Sequence, residues 1–283
     1  RDKRYIRING KPFFLVYRTS DLPDPGRTAE IWREEARNAG LGELHLCRVE
    51  SMDKSDPRDI GFDSALEFAP DWQHRGEQIK GDSDLPEDAS EELRKACQEN
   101  YVHYYAHMAD AMMAKTTPEY KRFRCVTPSW DNWARRKKNA AIFLGSSPQK
   151  YKSWLLRMIT DTNTHFQGEE RILFINAWNE WAEGCHLEPD QKFGHGYLEA
   201  TQEAVAISRQ VPARRPGQSS NARVTQMMNR IVDYRNQLEQ MDAQIKRSNE
   251  QIEDMLNSTS WRLTAPVRWL KQHWLDVKDR FTG

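Results

Sequence analysis

An apolar run, Ile172 to Ala177, stops abruptly at Trp178-Asn179-Glu180-Trp181-Ala182-Glu183-Gly184, and a third carboxylate, Glu188, follows just before Pro189. A run this short and this apolar reads as a buried strand. Whatever fold the chain adopts must therefore set two tryptophans and several acids where that strand ends. On a helix, Glu180 and Glu183 would share one face as a solvated pair, but Gly184 and Pro189 are poor company for a continuous helix. Carboxylates among aromatic rings suit a sugar site: the rings stack on apolar sugar faces, and desolvation separates the acids into a proton donor and a base.

The rest of the chain alternates strand and helix signals. Asn9-Gly10-Lys11-Pro12 is a turn between Tyr5-Ile6-Arg7-Ile8 and the strand run Phe13-Phe14-Leu15-Val16-Tyr17. A helix is expected over Thr28 to Asn38, a strand over Leu44 to Val49, and a short element over Ser64 to Phe68. Ser90 is an expected N-cap for a long helix reaching about Lys115, followed by a strand at Phe123 to Val126. Ser146-Ser147-Pro148 opens a helix through Ile159, and a last helix runs from about Gly196 to Arg209. About five strands, each but the short third followed by a helix, with polar or aromatic loops at their C-terminal ends, match the layout of a (β/α)8 barrel. Such a barrel needs about eight strands and roughly 250 residues. The expected fold is thus α/β, a partial TIM-type barrel holding the later strands only, over residues 1–210. An unpaired parallel edge, prone to aggregation, is expected with it.

Other residues compete for a place in the site. Trp130-Asp131-Asn132-Trp133, with Arg135 and Arg136, follows the preceding strand, so Trp130 and Asp131 are candidate substrate contacts; the alternative is a capped helix start packed by two tryptophans. Glu67 has a similar claim at the end of its short element. His186 and His195 flank the acidic loop, where either would orient a carboxylate, bind a sugar hydroxyl, or serve structure alone. His103 and His107 have the spacing of a metal-binding helix, but Tyr104 stands where a zincin needs Glu, and ordinary histidines are expected. No metal and no cofactor is expected, and neither a Gly-rich phosphate loop nor a G-x-S-x-G elbow occurs.

After Gln210 the character changes. Residues 211–222 read as a linker. Residues 223–257 carry a heptad series: Val224, Ile231, Leu238, Ile245 and Ile252 at one position, Met227, Tyr234, Met241, Ser248 and Met255 at the other. The β-branched residues favour a parallel homodimeric coiled coil; the alternative is a single amphipathic helix lying on the barrel. Residues 258–283 form an aromatic, basic, amphipathic tail suited to peripheral membrane contact or to capping the coiled coil.

Composition narrows the partners. Of 283 residues, 42 are basic and 42 acidic, and this zero balance gives no support for nucleic acid or an anionic membrane as the main partner. Cys47, Cys97, Cys125 and Cys185 lie far apart without C-x-x-C spacing, which points to free thiols in a reducing, cytoplasmic compartment.

FINAWNEWAEGCHLEPD followed by KFGHGYLEA resembles the signature of WbsX-like proteins, a bacterial polysaccharide-biosynthesis family related to glycoside hydrolase family 99. YIRINGKPFFLVYR, GFDSALEFAP, TPSWDNWARR and SSPQKYKSWL are similar to that family's successive blocks. The resemblance implies a barrel enzyme that retains anomeric configuration on α-linked glycans of lipopolysaccharide, O-antigen or capsule, as a glycoside hydrolase or glycosyltransferase. It implies Glu180 as base toward the sugar's 2-hydroxyl and Glu183 as general acid/base. Trp178, Asn179, Trp181, Trp130, Asp131, Glu67, His186 and Glu188 are the expected substrate contacts. The family's N-terminal blocks, with an earlier tryptophan- and acid-rich motif, do not occur in this chain. The alternative is a non-catalytic scaffold that joins a polysaccharide assembly through its coiled coil.

Overall fold

The computed structural model describes residues 2–80, 84–85 and 87–210. The expected linker, coiled coil and tail lie outside the described residues.

A six-stranded sheet of order β1-β2-β3-β4-β6-β8 organises these residues. Its strands are β1 (Arg7–Ile8), β2 (Lys11–Val16), β3 (His45–Glu50), β4 (Ser64–Glu67), β6 (Arg122–Val126) and β8 (Leu173–Ile175). β1 turns back antiparallel on β2 through Asn9 and Gly10, both at positive φ, and the other five strands are parallel. These five parallel strands are the five expected from the sequence. β3 and β4 are buried along their whole length, β6 in all but its first residue, while β2 at one edge of this parallel set and β8 at the other are only partly covered.

The sheet curls into half a barrel. Phe13 on β2 lies 5.9 Å from Phe174 on β8, ring to ring, although three strands separate them in the sheet order. His45 stacks on Phe13 at 5.5 Å, and Phe123 packs against Phe13 at 5.9 Å and Phe166 at 5.3 Å. These rings close the concave side near the strands' N-terminal ends. Toward the C-terminal ends the same side is open: Leu15, in register beside Cys47, is 39% exposed and Tyr17 is 49% exposed.

Helices cover the convex side. α1 (Pro25–Asn38) is capped by Asp24, whose Oδ1 accepts the Arg27 N–H at 2.8 Å, and it sets Ala29 against Leu46 and Phe62. α5 (Pro148–His165) is capped by Ser147 and packs on β6, on β8 and against α6 (Gly196–Gln210).

The expected helix from Ser90 to Lys115 is three elements instead. α2 (Glu91–Glu99) begins at the Ser90 cap, β5 (Tyr101–Tyr104) interrupts, and α3 (Tyr105–Met113) resumes. β5 pairs in parallel with β7 (Ala141–Leu144). Asn100 makes the break: its Nδ2 donates to Ala96 O at 2.9 Å, ending α2, while its Oδ1 accepts the Ala140 N–H at 2.9 Å, starting the ribbon. Pairing with a distant strand thus overrides local helical tendency. It also parts His103, on β5, from His107, on α3, so the helical spacing of that pair does not form. His103 is buried, stacked on Phe143, with Nδ1 3.0 Å from Glu77 O. All four cysteines are buried free thiols. Among the described residues no helix is long and apolar enough to cross a membrane.

Candidate functional site

The candidate site is built on two loops, those that follow β6 and β8. β8 ends at Ile175, Asn176 anchors its Nδ2 on Ala69 O at 2.8 Å, and the chain then forms a small hairpin. β9 (Asn179–Glu180) pairs antiparallel with β10 (Cys185–His186), joined by a 3₁₀ turn at Trp181–Glu183 and by Gly184 in the left-handed region at φ 56. Gly184 is required twice over. A side chain there would be strained at that φ, and its Cβ would stand 2.7 Å from Asp131 O.

That close approach joins the hairpin to the loop after β6. Asp131 N–H donates to Glu183 O at 2.8 Å, and Ser129 Oγ donates to Gly184 O at 2.5 Å. Beneath them, Cys185 Sγ lies 3.0 Å from Thr127 Oγ1 and 2.7 Å from Asn176 O. α4 (Trp133–Arg136) follows directly, held by Asn132 Oδ1, which accepts the Ala141 N–H at 2.8 Å. From this short helix Arg135 reaches back and forms an ion pair with Glu183 through Nη2 and Oε1.

The two principal carboxylates differ in setting. Glu180 is exposed, whereas the Glu183 side chain is only 23% exposed. Burial raises the pKa of Glu183 above the ordinary carboxylate range; Arg135 opposes that rise and the charge of Glu180 adds to it. Trp178 and Trp181 stand beside them, 53% and 49% exposed. One face of Trp181 is already occupied, since His186 stacks on it at 3.8 Å and 18°. Its indole N–H donates to Glu188 Oε2 at 2.6 Å, and His186 Nε2 lies 3.2 Å from Asp190 Oδ2. His186 and Glu188 therefore hold Trp181 in place and leave its other face open.

Not every expected contact joins this cluster. Asn179 lies on β9 and Asp131 on the joined loop, both exposed, and Asp131 Oδ1 is engaged by the Trp133 N–H at 2.9 Å. Trp130 is 2% exposed and packs edge-on against Trp72 at 5.4 Å and Phe68 at 6.5 Å, so neither ring face is free. Glu67 is wholly buried and faces cations, with Oε1 3.0 Å from Lys115 Nζ and 3.3 Å from Arg124 Nη1. His195 is exposed, with its carbonyl accepting the Glu199 N–H at 3.0 Å. Arg135 and Ser129 join the site without being among the expected contacts. The one signal for Arg135 is its place in the same tryptophan-rich block as Asp131. Among the described residues no group of three or more His, Cys, Asp or Glu side chains could hold a metal ion.

Comparison with known proteins adds three findings. A family model described as "Glycosyltransferase WbsX" matches residues 1–201. The protein WxcX of Xanthomonas campestris pv. campestris strain B100 is 37% identical over 205 residues, which is 72% of this chain and 28% of that protein; the WxcX of a second strain of that pathovar matches equally. This chain therefore spans 28% of the length of these relatives. Among solved structures, a "Glycoside hydrolase-like protein" superposes with a TM-score of 0.45 at 16% identity, over 72% of this chain and 56% of that one.

Proposed function

The chain belongs to the WbsX glycosyltransferase family, and from that premise we propose a carbohydrate-active enzyme that cleaves or transfers an α-linked glycosyl unit of a bacterial surface polysaccharide, with retention of configuration. The observation that carries this reading is the pairing of a half-buried, proton-retaining Glu183 with an exposed Glu180 on one short turn, beside two tryptophans with open faces. Two carboxylates held in unlike surroundings are how one site supplies both an acid and a base.

The proposed chemistry has two steps. Glu180 as carboxylate takes the proton of the sugar's 2-hydroxyl, O2 attacks C1, and the bond from C1 to the leaving oxygen breaks as Glu183 gives that oxygen its proton. The 1,2-anhydro sugar so formed is then opened at C1 by water or a glycan hydroxyl whose proton passes to Glu183, while Glu180 returns its proton to O2. Two inversions at C1 give retention, and both carboxyls end as they began. The open faces of Trp178 and Trp181 would receive the apolar faces of sugar rings.

The test uses Glu180→Gln and Glu183→Gln, which keep size and remove the proton chemistry. On a panel of α-linked oligosaccharides, read by reducing-end release and by transfer product, each variant should lose about 10²–10⁴ in turnover while glycan binding persists. Undiminished turnover in either variant would remove that residue from the mechanism.

A further inference from the structure

We propose that Arg135 is a positioning residue of this site: its guanidinium takes Glu183 Oε1 and so leaves Oε2 as the oxygen that gives and receives the proton. The catalytic part of this proposal rests on the reading of Glu183 as acid/base, but the contact itself does not.

The pair is framed on both sides. Arg135 sits on α4, whose first turn is pinned by Asn132 to Ala141 N and by Asp131 Oδ1 to Trp133 N, with the Arg136 N–H donating to Asn132 O at 2.9 Å. Glu183 sits on the hairpin turn, whose own carbonyl accepts the Asp131 N–H at 2.8 Å and whose neighbour Gly184 accepts Ser129 Oγ. The two backbones are thus fixed to each other within a few residues of the ion pair. A bridge between long, unanchored surface side chains contributes little because both must be immobilised; here Glu183 is half-buried, and although Arg135 is half exposed, both start from backbones already joined.

The surroundings single out Arg135. Glu180 faces Glu183 from the same hairpin, the Cys185 thiol lies behind it, and the Asp131 carboxylate is turned to Trp133 N. Among the described residues Arg135 is the one cation ion-paired with Glu183. Two of the basic residues that follow it are otherwise directed: Lys137 lies over the Trp133 ring at 5.2 Å, and Lys138 lies 4.0 Å from Glu99. The contact engages Oε1, and among the described residues Oε2 has no hydrogen-bond partner.

This asymmetry suits a group that must act first as acid and then as base. A carboxyl with two equivalent free oxygens can present its proton in several directions. With Oε1 held by a guanidinium, the hydrogen belongs on Oε2, and the carboxylate that remains after donation keeps a counter-charge until the acceptor's proton arrives. Burial favours the protonated form and Arg135 the ionised one, so both remain accessible during one turnover.

The test needs no glycan. In the intact chain carrying ¹³C at glutamate δ-carbons, the Glu183 carboxyl resonance is assigned by its loss in Glu183→Gln and followed against pH. In Arg135→Gln its midpoint should move up by about one unit, Arg135→Lys should bring it back part of the way, and Arg136→Gln should leave it in place. An unmoved midpoint in Arg135→Gln, or an equal move in Arg136→Gln, would overturn the proposal. Unchanged resonances of the remaining glutamates report that each variant is folded. With a glycan that is turned over, the Arg135→Gln rate profile should shift with the resonance. Turnover indifferent to Glu183→Gln would overturn the acid/base reading, and with it the catalytic role, while the titration still decides the contact.

Discussion

Lys115 is 8% exposed and its ammonium lies 3.0 Å from Glu67 Oε1 and 2.7 Å from Asp71 Oδ2, with Lys54 on the other side of Asp71 at 2.7 Å. Burial alone would raise the pKa of Asp71, but hydrogen bonds from Lys115, Lys54 and the Gln73 N–H outweigh it and hold the carboxyl well below its usual range. A carboxyl lowered in the folded state contributes stability above its unfolded pKa of about 3.9, and that contribution is lost as pH falls toward the folded value. Lys115→Met should therefore cost about 3 kcal/mol at neutral pH, because two buried carboxylates each lose one of their two cations, Asp71 keeping Lys54 and Glu67 keeping Arg124. Urea midpoints measured at neutral pH and at about pH 3 check this, with the deficit shrinking as the pH falls below the unfolded value. Glu183 has the opposite sign: raised by burial, it keeps its proton to higher pH than an exposed glutamate, and a rate that needs the acid should decline only as pH passes that raised value. The sequence marked Glu67 and Glu183 by the same cue, a carboxylate after a strand signal. What separates them is placement: Glu67 is the last residue of β4, buried against Lys115 and Arg124, whereas Glu183 lies on the hairpin turn beyond β8, and both settings depend on partners elsewhere in the chain.

The elements read correctly from sequence are those whose signal is local. The Ser147-Pro148 start of α5 carries its own cap, and the five parallel strands carry their own apolar runs, whereas α1 begins at Pro25 behind the Asp24 cap, three residues before the expected Thr28. β5 carries neither cap nor apolar run, and the short apolar run of β7, Ala141–Leu144, is not among the expected strands. Tyr101-Val102-His103-Tyr104 lies between two helical stretches and becomes a strand because Ala141–Leu144 lies beside it. The joint between the site loops was hidden for the same reason: Gly184 read as a helix breaker, but its task is to let the Asp131 backbone approach. Gly184→Ala should destabilise the chain by roughly 1–3 kcal/mol through the left-handed φ and the crowding. It should also speed hydrogen exchange at the Asp131 amide, which Glu183 O protects. Exchange unchanged there would mean that the two loops hold their places independently.

At the scale of the molecule, the described sheet has two edges. On β2 the pairing with β1 reaches only as far as Phe13, where the Phe13 N–H donates to Ile6 O at 2.9 Å, and β8 carries no further strand among the described residues. Leu15 and Tyr17 stand exposed along the first edge, an arrangement that invites pairing with another chain. A chain ending at Gln210 should self-associate with rising concentration in sedimentation velocity, and Leu15→Lys should reduce that association; identical behaviour of the two would place the contact elsewhere. The rings of Phe13, His45, Phe123, Phe166 and Phe174 that close the other end of the concavity bear on traffic rather than on assembly. A ligand that meets the loops after β6 and β8 approaches from the open, C-terminal end of the strands and finds the opposite end filled by aromatic rings.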